Sequence, residues 1–539
     1  MAVEDPRKAC FANRSFLLVE DFEAMRGILR DLLRRCGARQ IEVAANGTEA
    51  INILRRGKCD VILCDYDLGP GKNGQQTLEE ARHEGLVNAA TIWIMVTAEK
   101  THDMIMGAIE HQPDDYLLKP LTEAALQSRL EKLIARKTEL AGIAAAMRAR
   151  EYLKALDLCK ARIAQDPGNS MEILRIQAAI YQMIGQSGKA RELFDAILAR
   201  RDVPWARVGL VKLELHDGKL EPARDALEQL VAEHPNCLEA YDVLAHTYQR
   251  IGAWPDAQRV LEQAVRLSPN SARRQTALGD SALRCEDLDG AQAAYQKALH
   301  LSSQTALKVA APYLGLARVY TAQKKSDEAL KLLSRLAADI ESDEARLQAD
   351  AEQVRVHHAC GNLEQAEATA LDITTRIESG KQDLSPAATL DLAETFMIMG
   401  NRETAGKLLE FVVRNNYEDE ELAQRVIEVF DKGGIGEHGR ALVQSVRKQS
   451  IESMNQGVKL ASQGRLDEAL EFINQARSLM PRNPRLLLNH AYVVINLMQK
   501  NGWCFDMENE ARHSITAARQ IAPGEKRCGE LLAKLEALH

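Results

Sequence analysis

The stretch Val61-Ile62-Leu63-Cys64-Asp65 is a short apolar run that ends in a single carboxylate. Three other apolar runs near the N-terminus have the same design: Phe16-Leu17-Leu18-Val19 precedes Glu20-Asp21, Ile92-Trp93-Ile94-Met95-Val96 precedes Thr97, and Tyr116-Leu117-Leu118 precedes Lys119-Pro120. In an open parallel sheet, the residues that follow the strands converge on the crevice at the carboxyl ends. We therefore expect these polar side chains to lie together at one edge of a sheet.

The N-terminal part alternates short apolar runs with amphipathic segments, which predicts a doubly wound α/β sheet of five parallel strands. The apolar runs are continuous rather than alternating, as expected when helices cover both faces of a sheet. The predicted strands lie near 15–19, 40–44, 61–65, 91–96 and 115–118, and the predicted helices near 22–36, 47–56, 74–83, 99–110 and 122–137.

An internal repeat begins after about residue 138. An alanine is followed twelve residues later by a proline at Ala155/Pro167, Ala223/Pro235, Ala257/Pro269, Ala469/Pro481 and Ala511/Pro523. With Ala190 and Ala291 included, the early intervals between repeat alanines are 35, 33, 34 and 34 residues, close to the roughly 34 residues of a tetratricopeptide repeat. Small residues let two antiparallel helices approach closely, and the proline ends the second helix of each pair. We predict an all-α superhelical solenoid of tetratricopeptide-like helical hairpins.

These patterns divide the chain into an α/β domain at 1–137 and a repeat domain at 138–539. The repeat domain is expected to hold about ten or eleven hairpins and a capping helix near 524–538, with stretched spacing between about 330 and 450. The alternatives are a long coiled coil and an ordinary helical bundle, and recurrent glycine-containing turns argue against the coiled coil. The segment near 137–140 has no Gly/Pro/Ser-rich tether, so helix 122–137 is predicted to run into the first hairpin.

Composition and charge exclude several classes of function. The 539 residues carry a net charge of −8, with −5 on residues 1–123 and −3 on the remainder, so a polyanion binder is not expected. No apolar stretch reaches membrane-spanning length, and Met1-Ala2-Val3-Glu4-Asp5 does not resemble a secretion signal. The ten cysteines contain no Cys-x-x-Cys pair, which suits a reducing compartment. We expect a cytoplasmic protein.

The polar residues at the strand ends suggest phosphoryl chemistry. Glu20, Asp21 and Asp65 would repel one another without a cation, and their oxygen atoms are the ligands that Mg²⁺ prefers. A bound Mg²⁺ would leave Asp65 as a nucleophile toward an incoming phosphoryl group. Lys119 would supply a positive charge to the phosphoryl oxygens, and Thr97 a hydrogen bond.

Residues 15–130 resemble the receiver domain of two-component response regulators, which has a flavodoxin-like fold. The resemblance rests on Glu20-Asp21, Asp65, Thr97-Ala98, Tyr116 and Lys119-Pro120. It implies that Asp65 accepts a phosphoryl group from a histidine kinase, and that the chain catalyses only its own phosphorylation and dephosphorylation.

The resemblance also implies roles for the neighbouring residues. Asp21, Asp65 and the main-chain carbonyl of Asp67 would hold Mg²⁺, with Glu20 helping through water. Thr97 and Tyr116 would form a switch pair that remodels the face made by 99–110, 115–118 and 122–137. The chain departs from the family in one place, because Pro70 and Gly74 each lie one residue farther from Asp65 than is usual.

The repeats are expected to bind a protein partner on the concave surface lined by the first helix of each hairpin. Alignment of the repeats places five polar residues on that surface: Glu239, His246, Arg273, Asp280 and Arg318. A histidine kinase within the same circuit is one expected partner, and pairing of receiver faces as a homodimer is another. Two alternatives remain: a transcriptional or RNA-level regulator in which the repeats bind nucleic acid, and a phosphoryl sink that the repeats only localise.

Overall fold

The computed structural model describes residues 11–88, 90–98, 113–166, 170–303, 308–378, 384–522 and 525–538. The chain divides into two compact units, Met1–Val319 and Tyr320–His539. The first contains the predicted α/β domain and the first repeats, and the second contains helical repeats alone. The predicted helix at 99–110 lies outside the described residues.

The N-terminal sheet has five parallel strands, which confirms the predicted fold class. The strands are β1 (Ser15–Val19), β2 (Gln40–Ala44), β3 (Val61–Asp65), β4 (Ile92–Thr97) and β5 (Asp115–Leu118), in the order β2-β1-β3-β4-β5. All four pairings are parallel. Because β1, β3, β4 and β5 are neighbours, their carboxyl ends form one continuous edge of the sheet.

Each strand sends alternate side chains to opposite faces, and helices cover both. On one face, Phe16, Leu63 and Ile94 pack with the helices Glu23–Cys36 and Glu123–Arg148. On the other face, a second cluster includes residues of β1, β3, β4 and the helices Gly47–Arg56 and Gly74–His83: Leu17, Val19, Ile62, Cys64, Trp93, Met95, Ile51, Leu54 and Leu78. Each fully buried Leu or Ile contributes about 1.5–3 kcal/mol to folding. The core therefore fixes the strand ends that carry the polar residues.

The helix Glu123–Arg148 joins the sheet to the repeats without a break. Its first half packs on the sheet through Leu126 and Leu130. Its second half packs through Ile143 and Ala146 into the first repeat cluster. Position 137 therefore lies inside a continuous helix, as expected from the missing tether, and the division of the chain at this position remains a prediction.

The first unit continues as paired helices: Tyr152–Gln165, Met171–Met183, Ser187–Leu198, Pro204–His216, Leu220–Glu233, Leu238–Ile251, Trp254–Leu267, Ala272–Arg284, Leu288–Ser302 and Ala311–Ala322, within which the unit ends. The repeat alanines Ala155, Ala223 and Ala257 are fully buried. Glycines also sit at helix crossings. A Cβ on Gly209 would lie 2.3 Å from Cζ of Phe194, so the ring of one hairpin packs directly on the backbone of the next.

The second unit contains the helices Ser326–Asp339, Asp343–Ala359, Leu363–Glu378, Pro386–Ile398, Arg402–Asn415, Glu420–Lys432, Gly436–Ser462, Leu466–Leu479, Pro484–Asn501, Phe505–Ile521 and Lys526–Glu536. Gly436–Ser462 has 27 residues and serves two hairpins. Its Gly439 packs against Phe430, and its Gly457 packs against Ile473. This shared helix falls between the repeat alanines Ala405 and Ala469, at the end of the stretch with irregular spacing. No helix of the described chain is long and apolar enough to cross a membrane.

His490 in the second unit predicts a pH-dependent stability. Its ring is fully buried, with Nδ1 2.9 Å from the Ser514 hydroxyl. Burial, together with a smaller effect of Arg477, lowers the pKa of His490 to about 4. The unfolded chain binds a proton near pH 6.5 but the folded chain does not, so stability present above pH 6.5 is lost as the pH falls toward 4. The loss approaches about 3 kcal/mol.

This prediction is checked by hydrogen exchange of the helix Pro484–Asn501 between pH 7 and pH 4. H490Q is expected to flatten the pH dependence after correction for intrinsic exchange rates. H513Q is the matched control, because His513 is exposed on the adjoining helix Phe505–Ile521. An unchanged pH profile in H490Q would contradict the assignment.

Candidate functional site

The carboxyl ends of β1 and β3 bring three carboxylates together, as predicted from the strand-end pattern. Glu20 and Asp21 follow β1, and Asp65 ends β3. One oxygen from each of the three side chains lies within 4.8 Å of the others. Glu20 and Asp65 are buried and Asp21 is exposed. The cluster is therefore buried at Glu20 and Asp65 and accessible to solvent at Asp21.

Lys119 bridges the two buried carboxylates. Its Nζ donates to Glu20 Oε2 at 2.7 Å and to Asp65 Oδ2 at 2.6 Å. Burial alone would lower the pKa of Lys119, but the hydrogen bonds to Asp65 and Glu20 outweigh this effect and the pKa lies above its ordinary value. The lysine is therefore a fixed positive charge next to Asp65.

One lysine does not balance three carboxylates. Burial raises the pKa of Glu20 above its ordinary value; the hydrogen bond from Lys119 lowers it, and Asp65 raises it again. The remaining negative charge, the all-oxygen donor set and the solvent-facing Asp21 fit a hard divalent cation such as Mg²⁺, which prefers oxygen ligands and retains water. The residues present thus match the cofactor expected from the sequence.

The loop after Asp65 depends on glycine at two positions. Gly74 lies so close to the acceptor strand that a Cβ there would be 2.1 Å from the Asp65 carbonyl oxygen. Gly69 has a φ of +69°, and a Cβ there would lie 3.1 Å from Asp21 Oδ2. Gly74 is the glycine that lies one residue farther from Asp65 than is usual in the family. Because it has no side chain, the helix Gly74–His83 can begin in contact with the backbone of Asp65.

The loop is also tied together by hydrogen bonds. The amide of Gly74 donates to the Tyr66 carbonyl at 2.9 Å. Asn73 and Gln76 form a reciprocal capping box at the start of the helix Gly74–His83. The Asp67 carboxylate is exposed and accepts from the Gly69 amide at 3.2 Å, so its side chain is engaged within the loop. Sequence reasoning did not identify Gln76, although Asn73-x-x-Gln76 is a recognisable capping pattern.

Thr97 and Tyr116 lie on the adjacent strands β4 and β5. Thr97 is buried at the end of β4, where its carbonyl accepts from the Lys119 amide at 2.7 Å. Tyr116 is half-buried and packs against the cluster that contains Trp93 and Met95. Burial raises the pKa of the Tyr116 phenol above its ordinary value, and Tyr66 contributes to the same shift. The tyrosine ring is thus already partly inside the domain.

The predicted partner-binding residues all lie on first helices of the hairpins. Glu239 accepts from Lys212 at 2.7 Å and lies 3.9 Å from Arg175, which links the first helices of three successive hairpins. His246 is exposed on the helix Leu238–Ile251, and Arg318 is half-buried on Ala311–Ala322. Arg273 and Asp280 lie on Ala272–Arg284 and border a cleft. The five residues therefore do not form one cluster with a single chemistry.

A second group of potential metal ligands lies in the repeats, at Asp202, Glu233 and His234. Arg207 forms ion pairs with both carboxylates of this group. Arg207 therefore balances the charge of Asp202 and Glu233, and we interpret this group as an ion-pair cluster rather than a metal site. The acidic cluster around Asp65 remains the candidate site.

Two families match separate parts of the chain. The response regulator receiver domain matches residues 16–131, and the tetratricopeptide repeat matches residues 243–306 and 276–345. Chemotaxis protein CheY-3 of Vibrio cholerae is 32% identical over 124 residues, covering 23% of this chain and 94% of that protein. Chemotaxis protein CheY of Pseudomonas aeruginosa is 33% identical over 120 residues, covering 22% of this chain and 95% of that protein. The MamA crystal structure is 22% identical with a TM-score of 0.28, covering 31% of this chain and 94% of that chain.

Proposed function

The chain belongs to the response regulators with a receiver domain, here followed by tetratricopeptide repeats, and on this basis we propose that phosphorylation of Asp65 controls protein binding by the repeats. Receiver domains take phosphoryl groups from histidine kinases, and tetratricopeptide repeats mediate protein interactions. In the proposed reaction, an Asp65 carboxylate oxygen attacks the phosphorus of a kinase phosphohistidine. The phosphorus–nitrogen bond breaks, the histidine leaves, and an acyl phosphate forms on Asp65.

The observation that carries the proposal is the position of Lys119. Its ammonium group touches Asp65 and Glu20 at once, beside the open Asp21. An ammonium group in this position can bind a phosphoryl oxygen after transfer, when Asp65 exchanges a carboxylate for an acyl phosphate. The same group orients Asp65 before transfer, so the chain provides positioning and charge without a separate base.

The acidic cluster is proposed to hold Mg²⁺ through Asp21, Asp65 and the main-chain carbonyl of Asp67, with Glu20 acting through water. When bound, the cation would neutralise charge on the transferred phosphoryl group. The protein's own contribution is to hold these oxygens on one sheet edge. The presence of one lysine ammonium among three carboxylates supports this assignment, because the cluster keeps a net negative charge.

Thr97 and Tyr116 are proposed to relay the change in Asp65. The Thr97 hydroxyl would donate a hydrogen bond to the phosphoryl group, and Tyr116 would move farther into the domain. The packing of Tyr116 against the Trp93 and Met95 cluster supports this role, because its ring already contacts the core it would enter. The helix Glu123–Arg148 then offers a continuous path to the first hairpin.

The repeats are proposed to bind a protein on the surface of their first helices, where Glu239, His246, Arg273, Asp280 and Arg318 lie. Charges on this surface alternate in sign rather than forming a basic stripe. Glu239 pairs with Lys212, and Asp242 pairs with Arg274 at 2.7 Å. This arrangement favours a protein partner over nucleic acid, whose phosphates select clustered basic residues.

The proposed reaction is tested with the full chain and ³²P-labelled acetyl phosphate as the donor. We expect acid-stable, hydroxylamine-labile label on one residue per chain in the presence of Mg²⁺, because an acyl phosphate has this reactivity. Chelation with EDTA is expected to remove nearly all incorporation, since the carboxylate cluster then repels the phosphoryl group. Equal labelling with and without Mg²⁺ would contradict the metal assignment, and no labelling would contradict the acceptor assignment.

Control of partner binding is tested by affinity capture from cell extract. The full chain is presented with and without beryllofluoride, which mimics a phosphoryl group on a carboxylate. We expect the captured proteins or their amounts to differ between the two states. If the same proteins are captured in the same amounts in both states, phosphorylation does not control partner binding. The chain would then act only as a phosphoryl sink, which competes with other receivers for the kinase.

A further inference from the structure

A cleft of about 980 Å³ lies between the loop after Asp65 and the repeats of the same compact unit. One wall consists of the loop residues Gly69 and Gly71 and the start of the helix Gly74–His83. The opposite wall consists of the helices Ala272–Arg284 and Leu288–Ser302. A volume of this size is at the upper end of ligand-binding pockets. The cleft can therefore take a peptide segment rather than only a small ion.

The loop forms a shared wall between this cleft and the acidic cluster. Gly69 lines the cleft, and a Cβ on this residue would lie 3.1 Å from Asp21 Oδ2 of the acidic cluster. Gly71 also lines the cleft, with a φ of +114°. The extra length of this loop relative to the family therefore lies where the receiver faces the repeats.

A hydrogen bond ties the loop to the far wall. The Gln76 amide nitrogen donates to the Leu301 carbonyl at 3.2 Å. The Gln76 amide oxygen accepts from the Asn73 main-chain amide at 3.0 Å, which closes the capping box. One side chain thus connects the end of the loop with the helix Leu288–Ser302, so a displacement of the loop is transmitted to the cleft.

The unbalanced charge in the cleft is positive. Arg273 and Lys297 are exposed in the cleft and form no ion pair within the described ranges. The two carboxylates of the lining have cations nearby: Arg284 and Arg318 act on the Tyr295 hydroxyl from which Asp280 accepts at 2.7 Å, and Glu79 interacts with Arg82. Apolar contact surface comes from Ala277, Val309 and Pro312. This lining complements a segment that carries both carboxylates and apolar side chains.

We propose that the cleft binds an acidic, partly apolar segment of a partner protein, and that binding is coupled to phosphorylation of Asp65 through the shared loop. The inference rests on the proposed function, which it extends by adding the receiver loop and the second helix Leu288–Ser302 to the surface of first helices, with Arg273 of Ala272–Arg284 belonging to both. Coupling between two sites is reciprocal, so the partner segment also changes the stability of the phosphorylated state. The receiver is then part of the binding site as well as its regulator.

The test uses the full chain and a fluorescein-labelled decapeptide of alternating glutamate and leucine. Fluorescence anisotropy gives the dissociation constant with and without Mg²⁺ and beryllofluoride. The double variant R273E/K297E is expected to weaken binding about tenfold or more, because it replaces both complementary charges with repulsive ones. K189E is the matched control on an exposed lysine of the helix Ser187–Leu198, and its binding is expected to change by less than about twofold.

Coupling is read from the effect of beryllofluoride on peptide affinity. A shift of about fivefold in either direction is expected for the natural chain, within the usual range of coupling between sites. Q76A is expected to reduce this shift, because it removes the bond to Leu301, while D65N is expected to abolish it.

Three results would overturn the inference: equal binding of a lysine–leucine peptide, unchanged affinity in R273E/K297E, or no binding at millimolar peptide. The coupling would be refuted if beryllofluoride did not change the affinity for the peptide although the peptide still bound and Asp65 still accepted label. Failure of Asp65 to accept label from acetyl phosphate would instead refute the proposed function. The labelling and anisotropy measurements therefore separate the two hypotheses.

Discussion

Replacement of Asp65 by asparagine is expected to abolish phosphoryl incorporation, with at least a hundredfold loss of label from acetyl phosphate. The amide lacks the nucleophilic carboxylate oxygen, so no acyl phosphate can form. The fold is expected to persist, because asparagine has nearly the same volume and its oxygen can still accept from Lys119. Intact-mass measurement and autoradiography of the full chain check the result.

D31N serves as the matched control for this substitution. Asp31 is exposed on the helix Glu23–Cys36 and lies 3.9 Å from Arg34. Its replacement also removes one negative charge from the domain, but Asp31 is not one of the three carboxylates of the acidic cluster. We expect D31N to label like the natural chain. Label that persists in D65N would identify a different acceptor and remove the central assignment.

Replacement of Lys119 by methionine is expected to destabilise the N-terminal domain by about 3–5 kcal/mol at neutral pH without Mg²⁺. The side chain is 14% exposed and touches two buried carboxylates, which the substitution would leave without a counter-charge. Urea unfolding followed by hydrogen exchange of β3 amides measures this loss. Mg²⁺ is expected to restore part of the stability by replacing the missing charge.

The pH dependence of K119M follows from Glu20. Its folded pKa is already raised by burial, and removing Lys119 removes the hydrogen bond that lowers it. A carboxyl group with a raised folded pKa destabilises the folded state at high pH, and this penalty disappears as the pH falls and the group is protonated. The deficit of K119M relative to the natural chain is therefore expected to shrink toward acid pH.

Two further variants separate this effect from simple loss of packing. K58M replaces an exposed lysine of the same domain and is expected to change stability little. The double variant K119M/D65N is expected to recover part of the loss, because it removes one of the two stranded carboxylates. A deficit that is independent of pH, Mg²⁺ and Asp65 would show that the lysine acts through its alkyl chain.

The N-terminal fold followed from local sequence patterns. The runs ending at Val19, Asp65 and Thr97 were predicted as strands because continuous apolar segments of this length suit a sheet covered on both faces. Parallel strand order then required Glu20, Asp65 and Lys119 to meet at one edge, as the structure confirms. The repeat was equally local, since Ala155 and Ala223 mark close helix crossings that recur in each hairpin.

Features that depend on contacts between residues far apart in the sequence could not be predicted from local sequence patterns. The 27-residue helix Gly436–Ser462 joins two hairpins because Gly439 and Gly457 meet different neighbours, Phe430 and Ile473. The burial of His490 likewise depends on the helix that carries Ser514. In both cases, the local sequence is compatible with several arrangements, and packing selects one.

The sequence by itself determined the five-stranded sheet, the polar residues at its strand ends and the helical-hairpin repeats, because each depends on a pattern within a short segment. Only the tertiary structure placed Gln76 against Leu301 and Arg273 across from Gly69. These residues are separated by about two hundred positions in the chain. Their meeting depends on the path of every helix between them, which no local pattern encodes.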